Sequence, residues 1–136
     1  MIRTASILTL SLTGALAMAG CAAQGGKATG SDGRGKNVPA AKVVGEPVNC
    51  IDLPIRESRV RDDWTIDFRA DGNRWYRNTL PYRCNSLGFD RAFSYATSLQ
   101  RLCNVDVITV IGMAGGGPIP RAACGLGMFT PVELEK

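Results

Sequence analysis

The sequence predicts an all-β fold: a small antiparallel barrel or sandwich of about six short strands, stabilised by disulfides. Three observations point there. Trp64 to Ala70 alternates strictly between apolar and polar residues, the period of a half-buried strand. Turn-forming residues break the chain beyond Cys50 into short runs, and only Leu87 to Ala92 has the character of a helical turn. Four cysteines, Cys50, Cys84, Cys103 and Cys124, lie in a segment of roughly 85 residues, a size whose modest core gains from cross-links.

The elements follow in chain order. Arg3 opens a short positive start, and Ile7 to Ala19 is an uncharged, mostly apolar run of 13 residues. A span of the hydrocarbon core needs about 20 residues, so this run is expected to be a secretory signal segment. Residues 22–45 are rich in Gly, Ala, Ser and Lys and hold no aromatic residue. Such composition cannot bury enough apolar surface to offset its ordering entropy. The expected division is therefore a signal peptide over 1–20, a flexible tether over 21–47 and a β-domain over 48–136. Coil scaling gives the tether an r.m.s. reach on the order of 25–30 Å.

Within the domain, Ile51, Leu53 and Ile55 alternate and Val60 breaks the phase, so Ile51 to Arg61 reads as a strand bulged near Arg56–Ser58. Asp62-Asp63 is the turn into Trp64–Ala70, with Trp64, Ile66 and Phe68 toward the core. Asp71-Gly72-Asn73 supplies positions for positive φ, and Arg74 to Leu80 returns as the second strand of a hairpin, stopped by Pro81. Phe93 to Thr97 is a further short strand, and Ser98 to Arg101 a connecting turn. Val105 to Ile111 is the most apolar strand and should be central. Gly112 to Pro120, with its run of glycines and two prolines, reads as a loop, and Gly125 to Thr130 as a last short strand.

The cysteine count is odd: Cys21 precedes the four already named. Met18-Ala-Gly-Cys21 resembles the lipobox of bacterial lipoproteins, departing from it in having Met18 where Leu is usual. The resemblance implies cleavage before Cys21 and a lipid on its sulfur. The competing site is cleavage after Ala17-Met-Ala19. With Cys21 lipidated, four cysteines remain, enough for two bridges worth roughly 2–4 kcal/mol each. Three connectivities are open. We expect Cys50–Cys124, which joins the ends of the domain, and Cys84–Cys103. The spacings contain no C-x2-C pair, which argues against a thiolate metal site.

A second resemblance covers residues 48–132. Cys50-Ile-Asp, Arg59-Val-Arg-Asp-Asp63, Trp75-Tyr-Arg-Asn, Leu80-Pro-Tyr-Arg-Cys84, Asp106-Val-Ile-Thr-Val110 and Cys124-Gly-Leu-Gly-Met-Phe-Thr-Pro131 are similar to a domain-of-unknown-function family of small proteobacterial envelope proteins. That implies an exported bacterial protein with paired cysteines, and it supplies no catalytic residue.

Composition limits the chemistry. The 136 residues carry a net charge of +4 and no His, so Ser-His-Asp, Cys-His and His-ligated metal sites are excluded. From Cys50 onward ten Arg and one Lys face ten acids, a balance too even to point to nucleic acid. No cofactor is expected. Asp62 and Asp63 are adjacent, which does not place two acids across a cleft. Arg56, Arg59, Arg61, Arg69, Arg74 and Arg77 form a candidate anion-binding face, suited to phosphate or carboxylate of an envelope component such as lipopolysaccharide or peptidoglycan. The alternative use of these arginines is cross-strand pairing with Glu57, Asp62, Asp63, Asp67 and Asp71. Trp64, Trp75, Tyr76, Phe93 and Tyr95 sit at strand spacing and are expected in the core rather than around a ligand.

The expectation for function is a non-catalytic protein of the bacterial cell envelope, held by lipid on the periplasmic face of the outer membrane. Its role would be structural or one of interaction. The second expectation is a binding module for an anionic envelope component, and a small hydrolase is third.

Overall fold

A computed structural model of the chain describes residues 34–35, 38–97 and 99–135. The signal segment, Cys21 and the tether up to residue 33 lie outside the described residues. The chain order is β1 (Ala41–Val43), β2 (Cys50–Asp52), β3 (Glu57–Val60), β4 (Thr65–Arg69), β5 (Trp75–Thr79), α1 (Leu87–Asp90), β6 (Phe93–Tyr95), β7 (Arg101–Cys103), β8 (Val107–Ala114), β9 (Gly117–Gly125) and β10 (Phe129–Leu134). The strands form three sheets, ordered β1-β10-β5-β4-β3, β2-β7 and β6-β8-β9, with every pair antiparallel. The all-β, antiparallel, disulfide-linked expectation holds. The barrel does not, because no sheet closes on itself.

One apolar core joins the sheets. Ile66, Phe68 and Phe129 come from the five-stranded sheet, Ile51 and Leu102 from β2-β7, and Ile108 and Val110 from β8. Phe68 is central: its ring meets Phe129 at 5.7 Å and Phe93 of β6 at 6.0 Å, both edge-on.

The β4–β5 hairpin has the expected register, Thr65 opposite Thr79 through Arg69 opposite Trp75. Gly72 and Asn73 take φ of 70° and 59° in its turn. Ile66 and Phe68 are fully buried on the core face, whereas Trp64 is only half-buried, under the Arg34 guanidinium at 3.8 Å. Asp67, expected on the solvent face, is fully buried as well. β4 lies inside the sheet, and long side chains from both neighbours close over its outer face. Asn78 of β5 is buried too, and holds the backbone of Gly127 in both directions: Nδ2 donates to the Gly127 carbonyl at 2.6 Å, and Oδ1 accepts from its N–H at 2.9 Å. A Cβ on Gly127 would sit 2.1 Å from the Thr79 carbonyl oxygen, so this approach requires glycine.

Several expectations are corrected. The stretch Ile51–Arg61 is not one bulged strand. β2 pairs with β7, β3 pairs with β4, and the chain changes sheet at Pro54, which has no N–H for a ladder. β7 itself begins at Arg101, inside the region read as a turn. The central strand starts at Val107 and runs on to Ala114. Gly112–Pro120 is no loop but the end of the β8–β9 hairpin, turned by Gly115 and Gly116 at φ of 60° and 85°. Its prolines fit because β9 is an edge strand. Ile111 N–H bonds the Ala92 carbonyl, away from β9. Pro120 stands opposite Ile111 and Pro118 opposite Met113, so both ring nitrogens occupy positions whose N–H would have pointed outward.

The last strand is Phe129–Leu134 rather than Gly125–Thr130. Pro131 is accepted because it lies just past the end of β1, where its carbonyl takes the Val44 N–H at 3.0 Å and only the reciprocal bond is missing. β1 falls in the stretch read as tether. Its residues are largely exposed, and its backbone pairing with β10 holds it, which composition does not report.

The disulfide pairing also differs. Cys50 bonds Cys103, its direct partner across β2 and β7, with Cα atoms 4.0 Å apart. Cys84, just past β5, bonds Cys124 of β9 at a Cα separation of 5.7 Å. Pairing the ends of the domain is ruled out because β2 lies against β7, while Cys124 stands opposite Ile108 in another sheet.

Candidate functional site

The outward face of the five-stranded sheet gathers most of the candidate arginines. Cross-strand register puts Arg59, Asp67 and Arg77 in one row, and Glu57, Arg69 and Trp75 in the next. Arg61 follows Arg59 on the same face. Arg56 and Arg74 are not in these rows. They meet at the β4–β5 turn, where Arg56 Nε lies 2.6 Å from Asp71 Oδ1 and Arg74 Nε donates to the Asp71 carbonyl at 3.2 Å. Four of the six arginines thus share a face and two serve a turn.

The first row is a buried ion cluster. Arg77 grips Asp67 with two donors, Nε to Oδ1 at 2.8 Å and Nη2 to Oδ2 at 3.0 Å, and Arg61 Nε donates to Oδ2 at 2.7 Å. The two guanidiniums are 18% and 17% exposed while the carboxylate is fully covered. An unpaired carboxylate at this depth would be expensive, so this cluster explains how a charge can occupy the middle of β4. Arg77 Nη1 also donates to the Pro39 carbonyl at 2.9 Å, which ties down the approach to β1.

The second row is open. Glu57 accepts from Arg59 Nε at 2.5 Å and from Arg69 Nε at 3.1 Å. The Arg59 hydrogen bond first, then the charge of Arg59, then Arg69, hold the Glu57 carboxyl below its ordinary range. Both guanidiniums also lie near the Trp75 ring, Arg59 at 4.6 Å and Arg69 at 5.9 Å from its centroid. A groove of about 770 Å³ runs past this row, with Arg59, Arg69, Arg74 and Trp75 on one side and Val132 and Leu134 of β10 on the other.

The remaining candidates have structural places. Asp62 Oδ1 caps the Trp64 N–H at 2.8 Å, making the expected turn, and Asp63 takes the Gly88 N–H at 2.8 Å and Arg83 Nε at 2.9 Å. Tyr76 and Phe93 pack against the core and Tyr95 is exposed. Among the described residues no group of three His, Cys, Asp or Glu is placed to hold a metal ion. Comparison with family models, with curated proteins and with solved structures finds no match, so the site is read from its own geometry.

The sequence pairs Asp67 and Glu57 with arginines, but it does not separate their roles. Alternation puts Asp67 on the polar side, and Glu57 falls inside the expected bulge, where alternation assigns no face. Only register with β3 and β5 sinks Asp67 between two guanidiniums and leaves Glu57 at the groove. The β10 wall of that groove has no local signal, because β10 is far from β5 in sequence.

Proposed function

We propose that the chain is a lipid-anchored protein of the bacterial cell envelope with a non-catalytic structural or interaction role. One observation carries the anchor. Cys50, Cys84, Cys103 and Cys124 satisfy one another in two disulfides, which leaves the sulfur of Cys21 to other chemistry. The lipobox-like Met18-Ala-Gly-Cys21 supports the same reading, as does a disulfide-bonded domain suited to an oxidising compartment. Mass spectrometry of the mature N-terminus should find Cys21 first, with diacylglycerol on its sulfur. Replacing Cys21→Ser should move the folded protein from the detergent phase to the soluble periplasmic fraction. A chain beginning at Gly20, unmodified, would refute the anchor.

The second reading is an anion-binding module, favoured by the charge of the sheet face. On the sheet face Arg59, Arg61, Arg69 and Arg77 are set against Glu57 and Asp67, while Glu133 and Glu135 line the far side of the groove. An anion entering the groove beside Trp75 would meet Arg59 and Arg69, whose planar forks suit phosphate or carboxylate. Thermal-shift titration with phosphorylated envelope glycans should give a saturable stabilisation that Arg59→Ala abolishes. A flat response with both proteins removes this reading.

A further inference from the structure

We propose that the end of the β8–β9 hairpin, Met113–Pro120, enters the headgroup region of an anionic lipid bilayer and seats the domain on that membrane. This goes beyond a lipid anchor, since it assigns contact to the folded domain itself. From Val107 to Pro120 the chain carries no ionisable side chain. Beyond Gly112 the hairpin leaves the body of the protein: Met113 is 69% exposed, Ala114 to Gly116 and Pro118 to Pro120 are all exposed, and added Cβ atoms at Gly115, Gly116 and Gly117 would touch nothing. The projecting part is apolar on both faces. Met113 and Pro118 stand opposite one another on one face, and Ile119 stands opposite Gly112 on the other. A hairpin with one apolar face would suit a flat cover within the domain, whereas one apolar on both suits surroundings that enclose it.

Charge complementarity selects the lipid. At the base of the hairpin Arg121 Nε lies 3.1 Å from Asp90 Oδ2, and Arg91 Nε donates to the Gly88 carbonyl. Arg121 faces the one nearly buried carboxylate while Arg91 is held by a backbone carbonyl, so the two guanidiniums leave net positive charge where lipid phosphates would lie. Phe89, on the helix that packs against β8, is 87% exposed beside them, an aromatic of the kind that sits at headgroup level. Pro118 and Pro120 speak against a partner strand as the occupant, because they delete the outward donors that an added strand would need. The remaining outward carbonyls need water, which limits entry to the headgroup and acyl boundary.

The test uses the full mature chain carrying Cys21→Ser, so that no acyl chain contributes. It is sedimented with vesicles of phosphatidylcholine alone and of phosphatidylcholine mixed with phosphatidylglycerol. Binding is expected to the mixed vesicles and to be weaker to phosphatidylcholine. Met113→Asp combined with Ile119→Asp should weaken binding by at least about tenfold at unchanged melting temperature, since both side chains lose their apolar transfer. No sedimentation of the parent, or equal sedimentation of parent and double variant, would overturn the proposal. Either result leaves the anchor reading standing, because the acyl chain is absent throughout.

Discussion

The β4–β5 and β8–β9 hairpins are each built from neighbouring strands, yet they are held in different ways. β4 lies between β3 and β5, with apolar side chains under it and arginines over it, so both faces of its middle residues are covered. The β8–β9 hairpin shares that core through Ile108 and Val110, then runs outward past a bulge between Thr109 and Ile111 until only its own ladder supports it. The first hairpin couples its middle residues to tertiary packing on both faces. The second ends in a segment whose stability is local and whose side chains are free for contact with something else.

The Cys84–Cys124 bridge connects these two regions, one sulfur just past β5 and the other in β9, and closes 40 residues of sequence. Breaking it should have the largest effect. Cys84→Ser with Cys124→Ser is expected to lose about 4 kcal/mol by the loop-entropy relation, read as a lowered denaturation midpoint. Next is Asp67→Ala in the doubly covered hairpin. It strands two mostly buried guanidiniums, and about 3 kcal/mol should be lost, the low end for a broken buried pair because both arginines keep some solvent. The same measurement on Ile119→Asp in the projecting hairpin should change stability by less than about 0.5 kcal/mol, the usual range for an exposed site. A loss there comparable to that of Asp67→Ala would show that the hairpin end is packed after all.

The smallest effect concerns pH. Glu57 has a folded pKa below its ordinary value of 4.5, so its contribution to stability is present above that value and fades as pH falls through the lowered one. Carbon-detected NMR titration should place the Glu57 midpoint below those of unpaired glutamates, and Arg59→Ala should raise it, since Arg59 supplies the largest cause. An unmoved midpoint would mean that Arg69 alone holds the carboxylate.

Local patterning was enough for the elements whose information is short-range. Strict alternation identifies β4, Asp71-Gly72-Asn73 gives the turn its positive φ, and Asp62 caps the next strand from two residues away. The run Val105–Ile111 is apolar enough to require a central strand, and β8, which starts at Val107, is one. The even cysteine number beyond Cys21 predicts two bridges without choosing between pairings.

Tertiary structure decided whatever depends on which distant strand arrives as neighbour. It paired Cys50 with Cys103 by setting β2 against β7, and it split Ile51–Arg61 between two sheets at Pro54. It turned Gly112–Pro120 from an apparent loop into a hairpin end, because prolines are tolerated where an edge strand needs no outward donor. It also buried Asp67 while leaving Glu57 half-open at a groove. The physical reason is common to all of these. A residue's alternation and turn chemistry are properties of its own few neighbours in sequence, whereas burial of a charge, acceptance of a proline and the partner of a sulfur depend on register between strands tens of residues apart.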